Sequence, residues 1–376
     1  MSALSTPLLI LTILGTLYYV LSTAALIRRF APRAAKGKAK SHVKISVLKP
    51  VRGMDGDARA NFLTFLGQDY PDYEVLFGAL DPDDAAIPLI RDVIKGDARA
   101  SIYIGSEIDG FNNKVRILHN LARHSSGEIL VITDADTQVT PDFLSRITAP
   151  LNDPQVGVTT CIYRGIGGRG MADSLEGLHM TCVFAPGVAC ADALAGIDFG
   201  LGAAIAIRRE TLELIGGFES IVDCLADDFL LGRKSSLAGY KVKLSDYVID
   251  IVLSGESLAN VLRRELRWSV TTRVSRPVGH FGLIATFGLA YALILVMFDA
   301  ALWPVLAAVT AIRWLTAYIG ARICLQDRMF ARRSWLLPIR DLLSFGIWVA
   351  GYFRQTVEWR GRHLELTRNG RITRVK

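Results

Sequence analysis

The sequence predicts an α/β domain with a mostly parallel sheet, carried by membrane helices. Three features predict it. β-type runs alternate with helical patterns over residues 43 to 256, charge-free apolar stretches flank that region, and one strand-like run ends abruptly in two carboxylates, EILVITDADTQV at 128 to 139. With 51% hydrophobic residues and a mean hydropathy of +0.32, the chain is too apolar for an ordinary soluble enzyme. Part of it belongs in lipid.

The first element, residues 1 to 30, contains PLLILTILGTLYYVLSTAALI, about the ~20 uncharged residues that a membrane-spanning helix requires. No positive charge precedes it, so it does not read as a signal peptide. A basic linker follows at 31 to 42 (Arg33, Lys36, Lys38, Lys40), which predicts a cytoplasmic continuation. Residues 43 to 256 then carry the candidate strands VKISVLKP, YEVLFGAL, ASIYIG, EILVIT, VGVTTCIY, GAAIAI and KVKLSDYV, with helical patterns such as NKVRILHNLARH between them. Residues 257 to 279 read as an amphipathic helix, and 280 to 320 as a two-span hairpin. Residues 321 to 376 hold a basic loop, an apolar stretch broken by Pro338, Arg340 and Asp341, and a basic tail. An interfacial or re-entrant placement of that stretch keeps the tail on the cytosolic side.

The 43 Lys+Arg against 36 Asp+Glu give a net charge of +7, but the basic residues cluster beside apolar segments. That distribution fits a bilayer surface, and without aromatic-interleaved basic stripes it excludes nucleic acid. Five scattered cysteines lack any C-x-x-C pair and are expected as buried free thiols.

In a doubly wound sheet, ligands bind beyond the carboxyl ends of the strands, where Asp134 and Asp136 fall. Two like charges this close repel, and a hard divalent cation that also takes substrate phosphate oxygens resolves the repulsion. A turn capping the helix near Pro141 accounts for the same residue types. Asp81 follows YEVLFGAL as Asp134 follows EILVIT, placing a second acid at a second strand end. Asp227 and Asp228 open a helix in LADDFLLG; one suits a cap, and the other is a candidate general base. In SLANVLRRELRWSV, Arg264, Arg267 and Trp268 share one helical face, suited to a departing diphosphate or to anionic lipid. Lys49 and Lys114 are candidate nucleotide contacts, with plain surface lysines as the alternative.

Taken in order, Asp81, Asp134-Ala135-Asp136, Asp228 and Arg264-x-x-Arg267-Trp268 form a D, DxD, D, (Q/R)xxRW series. In this the chain resembles inverting glycosyltransferases of the GT-A, Rossmann-like nucleotide-sugar-binding fold. Its N-terminal span, C-terminal apolar region and TVEWRGRHLEL tail are similar to the ceramide glucosyltransferase family. The resemblance implies that Asp81 contacts the uridine nucleotide and that Asp134 and Asp136 hold Mn²⁺ or Mg²⁺ and the diphosphate. It further implies Asp228 as base, with Arg264, Arg267 and Trp268 supporting diphosphate and acceptor. The expected reaction moves one sugar from a UDP-sugar to a lipid hydroxyl at a bacterial inner membrane, with the catalytic domain in the cytoplasm. UDP-glucose with ceramide is the leading pair, and UDP-N-acetylglucosamine with a hopanoid polyol is the alternative.

Arg264 departs from the Gln usual in processive polysaccharide synthases, which also need more spans than are read here. A non-catalytic scaffold conflicts with four retained charged elements. A transporter conflicts with spans that carry few polar groups. The apolar stretch 171 to 196 is expected either to line a groove for the lipid tail or to form an ordinary buried helix.

Overall fold

The computed structural model describes residues 5–31, 43–54, 57–354, 356–359, 362–367 and 370–374. Residues 32–42 of the basic linker, and Arg360 and Gly361 of the tail motif, lie outside the described residues. The chain divides into two compact units, one built from 34–164 with 195–254, the other from 1–33, 165–194 and 255–376.

The first unit is organised on a sheet of β1 (Ile45–Pro50), β2 (Tyr73–Ala79), β3 (Ala100–Ile104), β4 (Ile129–Thr133), β5 (Thr137–Gln138), β6 (Val156–Gly167), β7 (Ala204–Arg208) and β8 (Lys241–Leu253). Their order is β3-β2-β1-β4-β7-β6-β8-β5. All seven sequence-predicted strands form, and β5 is an addition too short to leave a periodic signal. β1 and β4 are buried at every residue, as the apolar run of β4 requires, and in β1 the burial includes Ser46 and Lys49. Under them Phe62 meets Phe77 edge-on at 5.1 Å, and Phe65 meets Phe143 at 6.0 Å.

The expected mostly parallel sheet is corrected here to a mixed one. β3, β2, β1 and β4 are parallel, whereas β7 is antiparallel to both β4 and β6, and β5 to β8. Hydrophobic periodicity locates a strand but carries no sign of its direction. The chain leaves after β6 for a long helical excursion and returns into β7 at the edge where β4 ends, so Ala204 pairs with Thr133. That return has consequences for the site.

Among the described residues of the second unit, three helices are long and apolar enough to cross a membrane: Ser5–Phe30, Met171–Ala195 and Ala300–Cys324. The region of the expected span near 281 to 298 is a pair of helices, Pro277–Thr286 and Gly288–Phe298, bent by 53° at Phe287, apolar enough together to be one broken span or a re-entrant loop. Gly288 lies directly against Gly15, where a Cβ on Gly15 would sit 2.3 Å from the Gly288 nitrogen. The bend therefore accompanies a backbone approach that only glycine permits. Met171–Ala195, for which sequence reading left a groove or a buried helix open, is one continuous helical segment with a π-helical turn at His179–Phe184.

The charged interruptions near the C-terminus are matched within this unit. The guanidinium of Arg340 pairs with Glu265 through two bonds of 2.7 and 2.8 Å, and Asp341 pairs with Arg313 at 2.7 Å. The helix carrying them, Leu337–Tyr352, has 16 residues, fewer than the ~20 needed to span. Three short strands, Thr356–Trp359, Arg362–Leu366 and Ile372–Arg374, form an antiparallel sheet where the sequence reading had placed only a tail. All five cysteines are free and buried, as expected.

Candidate active site

β2, β1 and β4 are adjacent and parallel, so their carboxyl ends share one edge and bring Asp81, Lys49 and the Asp134-Ala135-Asp136 turn to it. Asp81 is exposed, its Oδ1 accepting only the short turn bond from the Asp83 nitrogen at 3.0 Å. Lys49 departs from the expectation of a surface lysine at a nucleotide. It is fully buried under the turn, with its ammonium 3.8 Å above the Phe65 ring. From there Nζ donates to the Asp134 carbonyl at 2.7 Å and to Thr137 Oγ1 at 3.2 Å. Burial pulls its pKa down to about 7, against the opposing pull of Asp136 and Asp134.

The acidic turn is held through its backbone. Thr137 Oγ1 also donates to the Asp134 carbonyl at 2.7 Å, Asn61 Nδ2 to that of Ala135 at 3.2 Å, and the Val252 nitrogen to that of Asp136 at 2.8 Å. With the three carbonyls of the turn bonded, its carboxylates sit on a fixed base. Nothing in the sequence near Asn61 or Val252 announces this support.

Opposite the turn, Asn112 caps the helix Asn113–His124 by accepting from the Lys114 and Val115 nitrogens. Its side-chain nitrogen reaches the Cys224 carbonyl at 2.8 Å and Asp227 Oδ1 at 3.4 Å. The same helix start carries Lys114, whose Nζ lies 2.6 Å from Asp134 Oδ1 and 3.7 Å from Asp227 Oδ2. Burial would lower its pKa, but Asp134 and Asp227 outweigh burial and hold it above the ordinary lysine value. Asp227 is buried and engaged by Asn112 and Lys114. Asp228 is half-buried, and its Oδ1 accepts from the Phe229 nitrogen at 2.8 Å. Burial first, and Asp227 second, push the Asp228 carboxyl up to about 6.

The other Asp228 oxygen faces Gly202. A Cβ built there would stand 3.0 Å from Asp228 Oδ2 and 4.0 Å from Asp134 Oδ2. The antiparallel entry of β7 places this glycine, with the Asp134 nitrogen donating to the Ala203 carbonyl at 3.4 Å. Between the two carboxylates there is thus a space that a methyl group would fill. Gly202→Ala is expected to lower kcat about tenfold or more with a smaller change in KM, measured by steady-state kinetics; unchanged kcat would show that the space is not used.

Among the described residues no group of three or more His, Cys, Asp or Glu forms a complete metal cage. The donor set still fits a hard divalent cation: carboxylate oxygens on a fixed turn beside an open space, with ligands left to be supplied by a phosphate.

Arg264, Arg267 and Trp268 occur in the other unit, on the helix Leu258–Ser275, and all three are half-buried. Arg264 donates to Glu176 at 2.6 and 2.7 Å and to Glu256 at 2.8 Å. Its charge is therefore matched by carboxylates within its own unit, a pairing that spacing alone does not foresee. Trp268 stacks near His179, with ring centroids 6.2 Å apart.

Comparison with known proteins finds the glycosyl transferase family 21 model matching residues 7–372. Ceramide glucosyltransferase 3 of Caenorhabditis elegans is 22% identical over 352 residues, covering 87% of this chain and 74% of that protein. Ceramide glucosyltransferase 1 of the same organism is 22% identical over 350 residues, covering 88% and 73%. Among solved structures, a mannosyltransferase from Pyrobaculum calidifontis in complex with GDP-mannose and Mn²⁺ superposes with a TM-score of 0.54 at 18% identity, covering 92% of this chain and 98% of that one. This likeness establishes the GT-A fold. With the family pattern running through both units from the first helix to the last strand, the chain belongs to glycosyl transferase family 21 and is an enzyme that transfers a hexose.

Proposed function

We propose that the protein transfers a single sugar, with inversion, from a UDP-sugar to the hydroxyl of a membrane lipid, with UDP-glucose and ceramide as the pair. The observation that carries this reading is the glycine-bounded space between Asp228 Oδ2 and Asp134 Oδ2 at the carboxyl edge of the sheet. A carboxylate of raised pKa on one side suits a base, and an acidic turn on the other suits a nucleotide diphosphate. The ceramide glucosyltransferase relatives and the three apolar helices support a lipid acceptor and a membrane location, and the names of those relatives support glucose as the donor sugar.

In this mechanism Asp228 takes the acceptor's hydroxyl proton as the oxygen forms a bond to the anomeric carbon. The bond from that carbon to the phosphate oxygen breaks, and UDP leaves with the electron pair. One displacement inverts the centre and needs no covalent enzyme intermediate. Asp134 and Asp136 would hold Mn²⁺ or Mg²⁺, which when bound supplies positive charge to the leaving diphosphate. Asp81 is the candidate contact for the nucleotide. Lys114 balances Asp134 and Asp227 from one side, so that of the neighbouring pair Asp227 carries the salt bridge and Asp228 does not. Lys49 positions the acidic turn from beneath. Arg264 positions the Arg267-Trp268 face through Glu176 and Glu256, so Arg267 and Trp268 remain the candidates for meeting diphosphate or acceptor.

The test is product mass spectrometry on the detergent-purified chain with Mn²⁺ or Mg²⁺, offering four UDP-sugars against ceramide, diacylglycerol and a polyol hopanoid. A hexosylceramide that vanishes with EDTA is expected. An N-acetylhexosaminyl hopanoid would keep the mechanism and replace both substrates, and activity undiminished by EDTA would overturn the metal.

A further inference from the structure

A second basic site lies wholly within the helical unit, apart from the acidic turn. A cavity of about 350 Å³ is lined by Arg169, Arg332 and Arg333 together with Met171, Trp335 and Leu336. It sits where the apolar helix Met171–Ala195 begins and shortly after Ala300–Cys324 ends. Read as spans, these helices have this site at a membrane–water boundary.

Arg333 is the informative member. The residue is 3% exposed, and Nη2 donates to the Gly167 and Gly168 carbonyls at 2.7 and 3.0 Å, whereas Nη1 is buried with no hydrogen-bond partner among the described residues. The other buried arginines of this unit, Arg313 and Arg340, each bond a carboxylate through two nitrogens. No carboxylate pairs with Arg333, Arg332 or Arg169 among the described residues.

The two acids near Arg333 are used elsewhere. Asp173 accepts from the Gly170 and Gly255 nitrogens, and Asp327 from the Met329 and Phe330 nitrogens and from Thr181. Burial accordingly holds the Arg333 pKa below the ordinary guanidinium value despite both acids. A buried guanidinium with an unused N–H group is costly unless an anion completes it. The planar fork of arginine matches a phosphate.

We propose that this cavity binds the phosphodiester of an anionic glycerophospholipid, with Arg333 at its floor and Arg332 and Arg169 at its rim. Commitment to a lipid over free phosphate rests on the apolar flank. Trp335 is 60% exposed and Met171 58% exposed beside the arginines, an arrangement of indole and basic residues that suits the headgroup level. Such a lipid would anchor the loop at 325–336 to the start of the Met171–Ala195 helix. The inference uses the membrane reading of these helices but not the assigned sugar donor or acceptor.

The full-length chain in nanodiscs of equal phosphatidylglycerol and phosphatidylcholine, released into native mass spectrometry, tests this. Retention of either phospholipid reports the membrane reading; the preference between them reports the cavity. Wild type is expected to retain phosphatidylglycerol preferentially, the preference falling roughly fivefold for each arginine removed. R169K/R332K should keep most of it, since a lysine at the rim retains the charge. Because Arg333 also supports Gly167 and Gly168, R169Q/R332Q serves as a variant that leaves those bonds intact. No preference in wild type, or full preference in R169Q/R332Q, would overturn the site. Displacement of the lipid by millimolar inorganic phosphate would overturn the lipid as its occupant.

Discussion

Asp228→Asn is expected to reduce sugar transfer by about 10²–10⁴-fold while binding of the UDP-sugar persists. Asn keeps the size of the side chain and the Phe229 bond but cannot take a proton. The measurement is product formation beside donor affinity, by radiolabelled transfer and calorimetry. Near-normal turnover would remove Asp228 from the mechanism, and loss of both signals would give it a structural role.

A pH profile adds a second, independent readout. With the carboxyl pushed up to about 6 from its ordinary 3.8, kcat should rise as pH climbs through about 6, because only the ionised form is a base. Stability should move the other way. The folded state holds this proton more tightly than the unfolded chain does, so Asp228 contributes stability at pH below 3.8 that is lost as pH rises to about 6. Folding thus disfavours the charge state that a base requires. If a residual rate in Asp228→Asn shows the same acid limb, the limb belongs to another group.

The largest expected loss of stability comes from Glu265→Gln. Glu265 and Arg340 are 2% and 1% exposed at their side chains and join two helices, Leu258–Ser275 and Leu337–Tyr352. Removing one charge leaves the other buried and unmatched, at a cost of about 3–5 kcal/mol. In detergent this should lower the unfolding midpoint on the order of 10 °C. The double variant Glu265→Leu/Arg340→Met should recover most of the loss, since apolar side chains of similar volume replace a buried pair with little penalty. A double variant as unstable as Glu265→Gln would mean that the pair fixes the helix contact through geometry that packing cannot replace. Both readings are separable by circular dichroism with temperature.

Much of the catalytic unit was legible because its signals are local. Unbroken runs such as ILVIT are buried strands wherever they occur, and an acid that ends one falls at a sheet edge. The DxD pair, the doubled Asp227-Asp228 and the helical face of Arg264, Arg267 and Trp268 are likewise short-range patterns. The misreadings came where the partner lies far along the chain. Lys49, a candidate nucleotide contact with a surface lysine as the alternative, is buried through Phe65 and a turn 85 residues away, which no local pattern announces. The pairing of Arg264 with Glu176 was not legible because Glu176 lies 88 residues before it. Hydropathy did not separate the bent pair at Phe287 from a straight span, since the approach of Gly15 to Gly288 that accompanies the bend joins residues far apart in the chain.

By itself, then, the sequence determined the strands, the apolar helices and the chemical type of each charged element, because propensity and hydrophobic period act over a few residues. Tertiary structure alone decided the direction of β7 and, through it, the seat of Gly202 between Asp228 and Asp134. It also decided which of two neighbouring aspartates is tied down, with Asp227 engaged by Asn112 and Lys114. Strand direction and charge pairing are set by which distant segments the core brings together, and no window of sequence contains both partners.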